Sequence, residues 1–423
     1  MQPTVITGVT VTPVAFADPP LLNTVGVHQP YALRAIIRID TAGGLQGLGE
    51  TYADTAHLTR LEAAAESIVG QDVFLLNRIR STIDERISRL SVTGGDGVAG
   101  MITTASTTDR VFSPFEVACL DVQGKTLGRP VSDLLGGAVR DRVPFSAYLF
   151  DKWAGHPGGG GDSWGEALDP AGLVRQARRV IDEYGFTAIK LKGGVFPPDE
   201  EIAAIKALRA EFPDLPLRLD PNAAWSVDTS IRVAAELDGI VEYLEDPTAG
   251  LDGMAEVAAE AKMPLATNMC VVAFDHLDPA VRKNSVSVVL SDHHYWGGLQ
   301  RSRLLAGICD TFGLGLSMHS NSHLGISLMA MTHVAAAVPN LAYACDTHYP
   351  WQEEDEEVIR GGKLPIRNGC VAITDAPGLG VELDQDQLAK LHEQFLAIDI
   401  RSRDDVRQMR KYQPDWETRK PRF

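Results

Sequence analysis

Six short apolar runs, FTAIKLK, LPLRLD, VEYLED, PLATN, VSVVLSD and LGLSMH, follow one another from Phe186 onward, and the polar residues Lys192, Asp220, Glu245, Asn268, Asp292 and His319 close them. The intervals between those six positions are 28, 25, 23, 24 and 27 residues, each room for one strand and one amphipathic crossover helix. Repeated βα units require a parallel sheet. A reactive side chain at every carboxyl end separates a TIM-type barrel from a doubly wound sheet, because a barrel carries its site on that face.

The chain before this repeat reads differently. VITGVTVTPVAF and LRAIIRID alternate apolar and polar residues, a turn falls at Thr41–Gly44, and GLQGLGE follows, which together predict a β-meander. GLQGLGE has the order GxxGxG with no helix directly after it, so a hairpin is a better reading than a phosphate loop. Helical periodicity is expected near Leu58–Ile68 and Pro114–Leu127, giving an α+β domain over residues 1–138. The barrel is expected over 139–360, with an exposed, glycine-rich loop at Asp151–Asp169. A last segment, 361–423, carries a short strand, a helix and an irregular tail expected to pack back on the first domain.

With 56 acidic against 39 basic residues, the net charge of −17 argues against a nucleic-acid partner. Five scattered cysteines with no metal spacing fit a reducing cytoplasm. VITGVTVTPVAFA has no basic residue before Arg34 and reads as a strand, not a signal peptide. HLGISLMAMTHVAAAV is too short and too polar for a membrane span, so it is expected to be a buried helix, and no membrane partner is expected.

Asp220, Glu245 and Asn268 close three consecutive strands, so their oxygens converge at one side of the barrel mouth, which suits a hard cation such as Mg²⁺. The lack of Cys and His in that set argues against zinc. Lys190 and Lys192 share the inward face of one strand, and repulsion with a nearby cation would free one amine to act as a base. Salt bridges from either lysine to Asp220 or Glu245 are the alternative. Across the barrel, Asp292 is placed to orient His319, with Asn321 two residues beyond. Two bases flanking a metal-bound substrate suit proton abstraction beside a carboxylate.

At these residues the chain resembles the enolase superfamily, in its mandelate-racemase-like branch, and is similar to the glucarate dehydratases within it. AIKLKGG, LDPNAAWS, EDP, ATNM, SDHHYWGG, MHSNSHLGISLMAMTHVAAA, DTHYPWQE and the terminal RDD carry the resemblance over nearly the whole length. It implies a modified (β/α)7β barrel under an N-terminal α+β cap completed by the C-terminal segment. Asp220, Glu245 and Asn268 would bind Mg²⁺, Lys192 and the Asp292–His319 dyad would move protons, and Lys190 would contact the substrate carboxylate. Substrate contacts are implied for Asn23, His28, Thr108, Tyr148 after the first barrel strand, Asn222, Asn321, His348 and Arg403.

The implied substrate is a dicarboxylate sugar acid, D-glucarate or L-idarate, converted to 5-dehydro-4-deoxy-D-glucarate. Another acid-sugar dehydratase or epimerase, or a diacid-binding paralogue, is the alternative, and a homo-oligomer is a compatible assembly. With Asn268 as the amide ligand, the formal charge over Asp220, Glu245 and Mg²⁺ is zero. That would leave Lys190, Lys192 and Arg403 free for a doubly negative substrate, whatever the surface charge.

Overall fold

The computed structural model describes residues 2–92, 97–98, 101–102 and 106–423, the two short pairs by backbone alone. Ile6–Ala17, Tyr31–Thr41 and Gln46–Tyr52 form an antiparallel meander in chain order. The glycines of GLGE serve helix packing: a Cβ on Gly47 would stand 2.0 Å from the Ala118 carbonyl oxygen, and one on Gly49 2.0 Å from that of Pro114. Only glycine lets the strand backbone approach the helix Thr107–Leu127 so closely. That helix begins seven residues before the expected Pro114, because Ser106 caps it by accepting from the Asp109 N–H. Helices Thr55–Ile68 and Leu76–Ile87 complete the cap, the second not read from the sequence.

Among the described residues the barrel sheet holds seven parallel strands in chain order: Ala147–Phe150, Ile189–Lys192, Leu217–Asp220, Tyr243–Glu245, Leu265–Thr267, Val288–Ser291 and Gly315–Met318. An eighth segment closes the circle, with bridges from Leu341 to Leu316 and from Cys345 to Phe145. An α-helix follows each of the seven strands, whereas the eighth segment is followed by only the 3₁₀ turn Tyr349–Trp351, so the barrel is of the modified (β/α)7β kind. The helix after strand seven, Gly325–Ala337, is buried at every position, which explains its uninterrupted apolar sequence. No helix of the described residues is long and apolar enough to cross a membrane.

The C-terminal segment touches both parts. Cys370–Ala372 pairs with Arg142–Pro144, and the helix Gln385–Ala397 lies on the first meander strand, where Gln394 Nε2 donates to the Ala15 carbonyl at 3.1 Å. The last residues reach the barrel mouth: Trp416 Nε1 donates to the Val25 carbonyl, and the Ser226 N–H donates to the Phe423 carbonyl.

Candidate active site

Parallel register sets Lys192 beside Asp220 and Lys190 beside Tyr148. Both lysines point inward, as their spacing requires. Lys192 Nζ stands 2.7 Å from Asp220 Oδ2, while Lys190 Nζ contacts Glu245 Oε2 at 2.6 Å, Asp346 Oδ2 at 2.7 Å and Asp220 Oδ2 at 3.4 Å. Burial alone would lower the Lys190 ammonium, but the carboxylates of Asp346, Glu245 and Asp220 outweigh it and hold its pKa well above the ordinary value. Burial likewise opposes ionisation of Asp220, and the two lysines overcome it and keep that carboxyl well below its usual range.

Glu245 is pushed the other way, by burial first and by Asp220 next. Its Oε1 has no hydrogen-bond partner, and neither has the Asn268 side-chain amide at either atom, although all are buried. Orphaned oxygens of this kind cost free energy unless something binds them. On consecutive strand ends beside Asp220 they fit a hard, oxygen-seeking cation. Asn268 is held in place from behind, its N–H donating to Asp246 Oδ2, while Thr267 Oγ1 donates to Asp246 Oδ1. Asp246, Asn222 and Ala223 adopt positive φ of 39°, 56° and 59° at this mouth, backbone strain gathered at the site.

Across the barrel, His319 Nδ1 lies 3.1 Å from Asp292 Oδ2, and His294 Nδ1 lies 2.7 Å from Asp292 Oδ1. Burial would raise the Asp292 carboxyl, but the two imidazoles outweigh burial and hold it well below its ordinary value. The dyad and the lysine cluster sit at the carboxyl ends of strands of the same parallel sheet. Asp292, His293 and His294 also lie close enough together to hold a metal ion. The Arg34 guanidinium, 2.9 Å from His294 Nε2, opposes a cation there.

Tyr148 lies within the first strand, not after it, with Lys190 Nζ 4.7 Å from its ring centre and the His348 ring at 4.8 Å. Burial pushes the His348 imidazole well below its usual pKa. His28 Nδ1 pairs with Asp18 at 3.0 Å, and the Asn222 N–H donates to Asp220 Oδ1. Asn321 Nδ2 donates to the Tyr52 hydroxyl and shares a small cavity with Arg403. Asn23 Nδ2 and the fork of Arg403 both bond Asp405. Thr108 is half-buried at the start of its helix, where its hydroxyl donates to the exposed Asp84.

Lys190, Lys192 and Arg403 therefore do not stand free: each is already paired with carboxylates. Asp346 was missed by the sequence reading, yet it falls 27 residues after His319, one more step of the strand-end interval, and closes the eighth segment.

Residues 6–136 match the family model of the mandelate racemase / muconate lactonizing enzyme N-terminal domain, and 172–387 the enolase C-terminal domain-like model. A probable glucarate dehydratase of Streptomyces coelicolor is 56% identical over 422 residues, 98% of this chain and 97% of the relative. A crystal structure of an enolase from Mycobacterium smegmatis complexed with tartrate is 70% identical with a TM-score of 0.94, covering 99% of this chain and 98% of that one. Another, from Pseudomonas fluorescens with bound magnesium, potassium and tartrate, is 56% identical with a TM-score of 0.96 and full coverage of both chains.

Proposed function

This chain belongs to the enolase superfamily, and from that membership we propose that it is a Mg²⁺-dependent dehydratase converting D-glucarate and L-idarate to 5-dehydro-4-deoxy-D-glucarate. As an enzyme it is a carbon–oxygen lyase of the hydro-lyase kind, like the relatives named as dehydratases. Its five cysteines are all free, in keeping with action in the cytoplasm. One observation carries the reading: the unpartnered oxygens of Glu245 and Asn268 stand beside Asp220 and Lys192, at the same carboxyl-end face of the barrel strands that carries the Asp292–His319 pair. The tartrate and magnesium held by the Pseudomonas fluorescens structure support a dicarboxylate ligand and this metal.

Asp220, Glu245 and Asn268 would hold the Mg²⁺, which supplies positive charge to the substrate carboxylate as the neighbouring C–H is broken. Lys192 or His319 removes that α-proton, according to the configuration at the carbon. His319 then gives a proton to the β-hydroxyl, which leaves as water, and the resulting enol takes a solvent proton at carbon and releases its hydroxyl proton to become the keto acid. Asp292 holds the His319 hydrogen on Nδ1, so that Nε2 faces the reaction. In this reading Lys190 exchanges part of its pairing with Asp346 and Glu245 for the substrate carboxylate, and Asn23, His28 and Arg403 make further substrate contacts. The test is incubation with D-glucarate, L-idarate and galactarate plus Mg²⁺, assayed for keto acid. Product from galactarate alone would move the assignment to another acid-sugar dehydratase.

A further inference from the structure

One carboxylate oxygen of Asp292 serves His319, and the other serves a second imidazole that the proposed mechanism does not use. That imidazole, His294, is buried on the short helix His293–Trp296. Its Nδ1 is 2.7 Å from Asp292 Oδ1, and its backbone N–H donates to the same oxygen at 2.9 Å. Its Nε2 is 2.9 Å from Arg34 Nη2 and 3.0 Å from Ser327 Oγ. A guanidinium can only donate, so Nε2 must accept and the ring hydrogen must sit on Nδ1, aimed at Asp292.

Arg34 is fixed in turn by the cap. Its Nε donates to Glu50 Oε1 at 2.8 Å, with both side chains buried. Glu50 accepts from the N–H groups of Leu324 and Ser327, at the start of the helix after barrel strand seven. The result is a line of alternating charge from the cap to the dyad: Glu50, Arg34, neutral His294, Asp292, His319. Tyr52 stacks against Arg34 with the guanidinium carbon 4.5 Å from its ring centre, and its own ring lies 5.2 Å from that of His294.

We propose that His294 and Arg34 are positioning residues for the Asp292–His319 dyad. Arg34 sets the His294 tautomer, and His294 occupies one oxygen of Asp292 so that the other alone orients His319. By sharing the carboxylate charge, His294 moderates the pull of Asp292 on the His319 Nδ1 hydrogen. The other groups facing or acting on His294 are His293, Tyr52, Ser327, His57 and His323, and those acting on His319 are Tyr295, Asp220, His323 and His348. None of these donates to Asp292 Oδ1. The catalytic readout rests on the dehydratase reading, whereas the tautomer does not.

Two measurements test it. In histidine-labelled protein, ¹H–¹⁵N spectra should show His294 protonated on Nδ1 and bare on Nε2. A His294 protonated on Nε2, or on both nitrogens, overturns the proposal. In turnover, His294→Leu should lower kcat about tenfold or more with KM little changed, and move the acid limb of the kcat profile upward by about one pH unit, the effect of one lost charge-assisted hydrogen bond. His294→Asn, which keeps an amide hydrogen near Asp292, should recover most of that loss. Equal damage in both variants, or wild-type kcat and profile in both, overturns the proposal. If the unaltered protein turned over no acid sugar, the dehydratase reading would fall, and the histidine spectrum would still decide this one.

Discussion

Lys192 Nζ and Asp220 Oδ2 lie 2.7 Å apart across a strand pair whose register sets the two residues side by side. That contact is compatible with a purely structural ion pair, and Lys192→Arg separates the two roles. Arginine keeps the charge but cannot give up its proton. Turnover should fall at least ~100-fold, the size expected of a general base, with the melting temperature little changed. Near-normal turnover in the arginine variant would reduce Lys192 to an ion pair.

Asn268→Asp adds a negative charge where the structure has an amide with no partner. Apparent KM for a diacid at saturating Mg²⁺ should rise about tenfold, equivalent to roughly 1.4 kcal/mol, while Mg²⁺ itself binds more tightly. Titrating metal and substrate separately distinguishes the two effects. An unchanged KM would mean that charge at this position does not govern diacid binding.

Glu116 links the cap helix to the barrel by accepting from the N–H groups of Leu299 and Gln300. Burial pushes its carboxyl from 4.5 up to about 7. The folded state therefore binds more protons than the unfolded state between those values. Its contribution to stability is fully present below the unfolded pKa and is lost as pH rises through about 7. Glu116→Gln cannot ionise, so its melting temperature should decline less than the wild type's from pH 5 to pH 8. Parallel curves would contradict the assignment.

Gly49→Ala would drive a Cβ to 2.0 Å from the Pro114 carbonyl oxygen. A loss of about 1–3 kcal/mol or more is expected on denaturant unfolding. Gly160→Ala, with open space around it, should stay within about 0.5 kcal/mol. Similar costs for the two would undo the packing account of GLGE.

The strand-end residues were legible because each polar side chain interrupts an otherwise apolar βα repeat, so periodicity and chemistry marked the same positions. Asp346 escaped because the eighth segment makes only isolated bridges and has no following α-helix to frame it. The pairings were a different matter. That Arg403 would be held by Asp405, His28 by Asp18 and His294 by Arg34 depends on how loops and the cap meet the barrel. No local period encodes such contacts. For the same reason the cations expected to stand free proved to be paired, since sequence shows charges but not their distances. Thr108 was carried by resemblance alone, and its hydroxyl bonds Asp84 across the cap helices.

The central claim is that Lys192 and His319 strip an α-proton from a sugar diacid and expel its β-hydroxyl. It is tested most directly by incubating the protein in D₂O with Mg²⁺ and D-glucarate, L-idarate or galactarate in turn, following each by ¹H NMR. D-Glucarate and L-idarate should both yield 5-dehydro-4-deoxy-D-glucarate carrying solvent deuterium at C4. Failure to form a keto acid from any of the three would contradict the claim.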